Sequence, residues 1–316
     1  MNAAVEQALA LWGWQGASAE LFARRENAVW RVRRDGGGDH AMRFHRPGYR
    51  SGDELRSELD WMGYLARSGL CVPSPVARPD GTLTGAVGDH VVSLLTWLPG
   101  RPLGHLGQLH GIDDALALCR RIGALMARLH DLSDGWARPA GFTRPDWRRE
   151  GLLGETPLWG RFWDRPLLTP DQRALLIDAR AAADAALRGL ERDADQGLIH
   201  ADMLLENILV DGDSISLIDF DDGAFGFRDF ELATFLLRLD HRPDLPEMRA
   251  ALCEGYAVRR RVRPTDLDLF LLVRALSYPG WIADRMGEPG ADERSARAIA
   301  TAVRHASRFL DGASGA

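Results

Sequence analysis

The stretch Leu198–Leu232, LIHADMLLENILVDGDSISLIDFDDGAFGFRDFEL, sets His200, Asp202, Asn207 and Asp219 in one short ordered array. Asn207 stands five positions after Asp202. An apolar ILV run follows, then an Asp-Gly turn at Asp211-Gly212, then SISLI. This pattern predicts a hairpin whose second strand delivers Asp219 inside IDFDD. The residue types are compatible with one chemistry in particular, the alternative being a surface hairpin with ordinary turn acids. Asp202 can accept a hydrogen bond from a hydroxyl and orient it. Asn207 and Asp219 offer the oxygen ligands a hard divalent cation prefers. Phosphoryl transfer asks for metal, positioning and charge neutralisation rather than covalent help, and the array holds the residues for all three. His200 is placed to hold the loop by hydrogen bonding to its backbone.

Outward from this segment, composition narrows the class. The chain has 316 residues, long enough for two lobes, and 46% of them are hydrophobic, as in a globular protein with a sizeable core. A net charge of −6 and a pI near 5.9 argue against a nucleic-acid partner, which would call for a basic face. Cys71, Cys119 and Cys253 are scattered and odd in number, so they suggest neither a disulfide framework nor a metal site; a reducing cytoplasm is the expectation. The opening MNAAVEQALALWGWQG reads as an acidic amphipathic helix rather than a targeting leader. No run of about 18 apolar residues suggests a membrane span.

The order of elements is that of an α+β protein in two lobes. A short helix over 3–13 precedes strands at Ala28–Arg33 and His40–Phe44, joined by the turn Asp35–Gly38. A helix over Asp53–Ser68 repeats Leu55, Leu59, Met62 and Leu65 at helical spacing and stops at Gly69. A Pro-rich stretch, VPSPVARPDG, leads to a buried strand at Val91–Trp97, and Pro99-Gly100 breaks the chain. Residues 1–98 therefore predict a small antiparallel-sheet lobe with one main helix. Residues 99–316 predict a larger, mostly helical lobe, with helices over Ala115–Leu132, Pro170–Leu190, Phe230–Leu239, Leu245–Arg259, Thr265–Met286 and Ala291–Leu310. Within it, residues 141–165 crowd Phe142, Trp147, Trp159, Phe162 and Trp163 into a loop-like stretch. These aromatics could fold over an organic acceptor or form a satellite core. Trp281 and Arg285 carry the same ambiguity.

The Asp202–Asn207 spacing is that of a kinase catalytic loop. Together with ENAVWRV (26–32), MRFHRPGYRS (42–51), SELDWM (57–62) and GWIADR (280–285), it resembles the aminoglycoside phosphotransferase/choline kinase superfamily. The branch of type II homoserine kinase-like proteins and the bacterial stress-response kinase is the most similar. The resemblance runs over nearly the whole chain and implies a two-lobed protein-kinase-like fold that uses ATP and Mg2+ to phosphorylate a small-molecule hydroxyl. The acceptor would be an amino alcohol, homoserine-like or aminoglycoside-like. Alternatives are a serine/threonine protein kinase of the stress-response type and a nucleotide-binding regulatory pseudokinase. A monomer or homodimer is expected.

The resemblance also assigns roles. The phosphate-covering turn lacks G-x-G-x-x-G and reads Arg25-Glu26-Asn27-Ala28, which gives Asn27 the phosphates. The lysine of the third strand is Arg43, an arginine that can reach phosphate oxygens with two donors. Glu58 is its partner, with Glu54 one turn earlier as the alternative. Thr96, Trp97 and Leu98 would line the adenine pocket through free backbone groups, although Trp97 could be core instead. Asp221 shares strand parity with Asp219 and is either a further metal or acceptor contact or a turn acid before Gly223. Asp229 and Glu231 open the next helix, where acids meet its dipole favourably and serve the structure; since an acid near here braces the catalytic loop in the superfamily, Asp229 is a candidate for that place. His130-Asp131 is expected at a helix terminus.

Overall fold

The computed structural model describes residues 3–24, 27–34 and 36–314. Arg25 and Glu26 of the phosphate turn and Asp35 of the first hairpin lie outside the described residues. In chain order the elements begin α1 (Ala3–Leu11), β1 (Ser18–Arg24), β2 (Ala28–Arg33), β3 (Asp39–Phe44), α2 (Gly52–Arg67), β4 (Thr84–Val87), β5 (His90–Thr96) and β6 (Arg101–Pro102). There follow β7 (Gly104–His105), β8 (Gln108–Leu109), α3 (Ala115–Asp134), β9 (Asp146–Trp147), α4 (Arg149–Leu153), α5 (Pro170–Leu190) and β10 (Gln196–Ile199). The chain ends through β11 (Ile208–Asp211), β12 (Ser214–Leu217), β13 (Ala224–Phe227), α6 (Arg228–Leu237), α7 (Leu245–Ala257), α8 (Leu267–Ile282) and α9 (Ala291–Ser314). It divides into two compact units, 1–103 with 132–144 and 206–221, and 104–131 with 145–205 and 222–316. No helix among the described residues is long and apolar enough to cross a membrane.

The first unit is built on an antiparallel sheet of order β1-β2-β3-β5-β4. Val5, Leu9 and Trp12 of the α1 region pack with Val32, Met42, Phe44, Val92 and Leu94 from the sheet in one core. Gly85 lets α1 come close, since a Cβ there would stand 2.6 Å from Leu11 Cδ1. The helix α2 starts where sequence chemistry says it should: Ser51 accepts the Glu54 N–H and the Glu54 carboxylate accepts the Ser51 N–H. Leu55, Leu59, Met62 and Leu65 are all buried, as their spacing predicts. The hairpin of β11 and β12 pairs Ile208 with Leu217 and Asp211 with Ser214, with Gly212 at φ +55 in the turn. β6 adds to its edge.

The second unit is mostly helical. Buried nearly all round, α8 lies against α5, α6 and α9. Two glycines let α3 and α7 approach closely. A Cβ on Gly123 would stand 2.1 Å from Leu252 O, and one on Gly255 would stand 1.9 Å from Arg120 O. A small sheet of order β10-β13-β9 anchors the chain leading to His200. α3 continues through Asp134, so His130 lies inside a helix and not at its terminus. The chain meets no breaker between His130 and Gly135, and Leu132 and Ser133 continue the turn.

Candidate active site

In the first unit, Arg43 is the centre of a buried charge cluster. Its position on β3 sets it opposite Val29 on β2 and Ser93 on β5. Nη1 donates to Glu58 Oε1 at 2.6 Å. Nη2 lies 3.7 Å from Asp219 Oδ1 and 3.7 Å from Asp221 Oδ1, and it is buried without a hydrogen-bond partner. Burial pulls the Arg43 pKa down, but Glu58, Asp219 and Asp221 more than offset this and raise it. For Glu58 burial pushes up, and the charges of Arg43 and Arg144 outweigh it, holding the carboxyl below its usual range. Of the two acids weighed from sequence, Glu58 reaches Arg43; Glu54 caps its own helix.

Arg144 was not legible in the sequence. It sits within the aromatic-rich stretch and is wholly buried. It donates to Glu54 O at 3.0 Å, Phe220 O at 3.1 Å and Asp221 O at 2.6 Å, and its Nη1 is 3.9 Å from Glu58 Oε2. One guanidinium thus ties α2 to the IDFDD segment. Arg50 adds a bond to Asp221 O at 3.2 Å, and Asn27 Nδ2 lies 3.5 Å from Asp221 Oδ2. Asn27 Oδ1 in turn accepts the Arg46 N–H at 3.1 Å. Phe220 packs edge-on against Trp61 at 5.2 Å.

Asp219 is half exposed and adopts φ +66, a left-handed conformation that a residue with a Cβ rarely takes. Such strain persists only where the surroundings enforce it, and functional sites are where it concentrates. Asn207 is nearly buried, and its backbone carbonyl accepts the Ile218 N–H at 2.9 Å, which joins it to the segment preceding Asp219. Asn27, Arg43, Glu58, Asn207, Asp219 and Asp221 all belong to this unit, as do Thr96, Trp97 and Leu98. The last three need one correction. The Thr96 N–H donates to Ser74 O at 2.9 Å and the Trp97 N–H to Asp39 O at 3.1 Å, so neither is free for a base. The strand end is paired with Ser74 and with Asp39 of β3, which leaves Leu98 as the candidate donor. The Trp97 ring meets Phe22 edge-on at 4.8 Å and lies under the Arg31 guanidinium.

In the second unit, His200 and Asp202 stand on either side of Ala201, itself buried at φ +66. The Asp202 N–H donates to His200 Nδ1 at 3.3 Å. The acid bracing this turn is Glu231, not Asp229: the His200 N–H donates to Glu231 Oε2 at 2.7 Å. Asp229 lies two residues earlier on α6, where Asp266, Asp195 and Arg263 are its charged surroundings; burial first, then those two acids, lifts its pKa to about 7. Burial also pushes Glu231 up to about 8, although the N–H groups of His200 and Ala201 and the charge of Arg228 pull the other way. His130 Nε2 is 3.4 Å from Glu231 Oε2, and its Nδ1 is 2.8 Å from Tyr256 Oη. Burial, with Arg228 and Arg260, holds His130 well below its ordinary pKa, so it is neutral. Arg228 donates to Leu198 O and fixes the strand before the loop.

The aromatic stretch is divided. Phe142 packs on Trp136 in the first unit. In the second, Trp147, Phe162 and Trp163 are buried, and Trp159 meets Trp147 at 4.4 Å and Trp281 at 6.2 Å. Arg285 lies 3.9 Å over Trp281. Arg274, on α8, brings Nη2 to 3.5 Å from Asp202 Oδ1.

The sequence matches the phosphotransferase enzyme family (APH) over residues 19–265. The chain belongs to that family. This phosphotransferase is 30% identical to the microcompartment-associated aminopropanol kinase, with a TM-score of 0.82 over 98% of this chain and 97% of that one. The amicoumacin kinase hAmiN, solved with AMP-PNP, Ca2+ and Ami, shares the fold at 19% identity, with a TM-score of 0.75 over 95% of this chain and 92% of that one. An uncharacterized protein of Deinococcus radiodurans is 31% identical over 265 residues, 79% of this chain and 73% of that one. Homoserine kinase of Brucella abortus is 28% identical over 227 residues, 70% of this chain; the phosphotransferase spans 64% of that kinase's length. The fold is α+β and protein-kinase-like, as the sequence motifs imply.

Proposed function

We propose that this phosphotransferase moves the γ-phosphate of ATP, with Mg2+, onto the hydroxyl of a small amino alcohol. The observation that carries the reading is the Arg43 cluster. A buried guanidinium arm without a hydrogen-bond partner, flanked by two carboxylates, has the donor chemistry a phosphate oxygen requires. Arg43 donates to the nucleotide phosphates, and Glu58 holds it in place. Asn207, Asp219 and Asp221 would supply oxygen ligands to magnesium. The set would be two carboxylates and an amide, which fits an ion that keeps several waters. When bound, magnesium neutralises phosphate charge. Asp202 accepts the acceptor's hydroxyl hydrogen, aligns the oxygen, and takes the proton late in transfer. Support for the amino-alcohol class comes from the aminopropanol kinase and the homoserine kinases, which this chain resembles.

The test is ATP turnover with magnesium against aminopropanol, ethanolamine, choline, homoserine, an aminoglycoside and a protein Ser/Thr substrate. Turnover with an amino alcohol, reduced about 100-fold or more in Asp202→Ala without loss of nucleotide affinity, supports the reading. Nucleotide affinity in Asp219→Ala equal to that of wild type counts against the metal assignment. Turnover confined to the protein substrate overturns the acceptor class.

A further inference from the structure

Arg274 takes no part in the roles assigned above, yet it is among the most enclosed charges of the second unit, about 2% exposed. Its guanidinium carbon stands 4.6 Å from the Trp159 ring centroid, 5.6 Å from Tyr278 and 5.8 Å from Phe230. Nη1 reaches Ser277 Oγ at 3.4 Å. The nearest carboxylate is Asp202, at 3.5 Å from Nη2, and that side chain is itself only about 20% exposed. Of the other charged or titratable groups around Arg274, Tyr278 and Asp222 favour its charge and Arg238 opposes it. Burial outweighs their support and pulls its pKa down. A cation so enclosed is stacked on rings rather than matched by several acids, and among the described residues Asp202 is its close ionic partner.

Resting on the assignment of Asp202 to the acceptor hydroxyl, we infer that Arg274 is the positioning residue for the Asp202 carboxylate, held rigid by Trp159, Tyr278 and Phe230. The planar guanidinium cannot swing as a lysine could, because three rings limit it. It fixes the Asp202 carboxylate through Oδ1 and so orients the group for the acceptor hydroxyl. A cation at this distance also weakens Asp202 as a base. Its contribution is therefore alignment of the hydroxyl, which suits a transfer whose proton leaves late. Trp159, from the aromatic-rich stretch, acquires a definite task. Its face is occupied by the protein's own guanidinium instead of by an acceptor cation.

The experiment compares wild type, Arg274→Met, Arg274→Lys and Trp159→Leu in steady-state kinetics across pH. In Arg274→Met, kcat should fall roughly 100-fold while the KM for ATP stays unchanged. The acid limb of kcat/KM should move up by about 1–3 pH units, the reach of an opposite charge at this range. Arg274→Lys should recover part of kcat and most of the shift. Arg274→Met with the wild-type kcat and acid limb overturns the inference. If that variant does not fold, Trp159→Leu carries the test: lowered kcat with unchanged KM for ATP supports it, and wild-type kcat overturns it. Should wild type turn over no acceptor, the functional reading fails separately. The inference is then read from the Asp202 carboxyl itself by 13C NMR, assigned through its loss in Asp202→Asn. An upward pKa shift in Arg274→Met sustains it, and an unmoved one overturns it.

Discussion

Glu58 and Glu231 are the same residue, each fully enclosed in its own unit, and they end in opposite charge states. Burial pushes both upward. Glu58 stays ionised because Arg43 and Arg144 face it, one at 2.6 Å and the other at 3.9 Å. Glu231 faces Arg228, two backbone N–H groups and a neutral His130, and burial lifts it to about 8. Near neutral pH it is a protonated acid beside a neutral His130. The difference teaches that enclosure alone does not set a side chain's charge; the number of matching partners does. It also fits the two tasks. In the proposed function the cluster around Glu58 would hold a cation for phosphate, whereas Glu231 holds a backbone turn.

The largest test of that comparison is Arg43→Met. Removing the cation leaves Glu58 buried beside a single, more distant arginine. A buried pair broken on one side costs about 3–5 kcal/mol, so the urea midpoint should fall sharply and nucleotide affinity with it. A midpoint close to wild type would mean that Glu58 had simply taken up a proton, as Glu231 does.

A second test uses pH. Glu231 in the folded protein holds its proton to about 8, while the unfolded chain releases it near 4.5. The native state therefore binds more protons in that window, and stability falls as pH rises through it. His130 acts oppositely: it is neutral when folded and protonated when unfolded below 6.5, so its share is lost as pH falls. Below 6.5 the two slopes oppose one another. Asp229, lifted to about 7, adds to the decline up to that pH; from 7 to 8 the decline is carried by Glu231, and stability should fall. Glu231→Gln should flatten that decline in thermal melts; an unchanged slope would show that Glu231 is ionised like Glu58.

The smallest test concerns the scaffold that carries Glu58. Ser51→Ala removes the side-chain cap of α2 and should cost about 1 kcal/mol with Arg43–Glu58 chemistry intact. A larger loss, together with weakened nucleotide binding, would mean that the start of α2 helps set the Glu58 position.

How much of this was legible in the sequence depended on distance along the chain. Asp202, Asn207 and Asp219 lie within eighteen residues, and loop, turn and strand pattern fix their order. The helix α2 was readable because Ser51, Glu54 and the apolar spacing agree. The strand Ser18–Arg24 was not: SAELFAR lies largely exposed and shows no alternation of buried and open positions. Arg144 and Arg274 were missed for another reason. An arginine beside a proline and an arginine in an apolar helix are ordinary in sequence, and neither signals which carbonyl or carboxylate it will meet. The choice of Glu231 over Asp229 is of the same kind. Both are acids in the first turn of α6, and only the packing of that helix decides which reaches the His200 N–H.

The sequence by itself pointed to the phosphotransferase family, which the family match bears out, because the motif that carries the resemblance is contiguous and local backbone preferences order its residues. Only the tertiary structure decided which charges are kept and which are neutralised. That depends on how many partners from distant segments gather around each enclosed group: two arginines around Glu58, a backbone turn and a neutral histidine around Glu231, three aromatic rings around Arg274. Burial makes each such group costly, and long-range contacts settle how the cost is met.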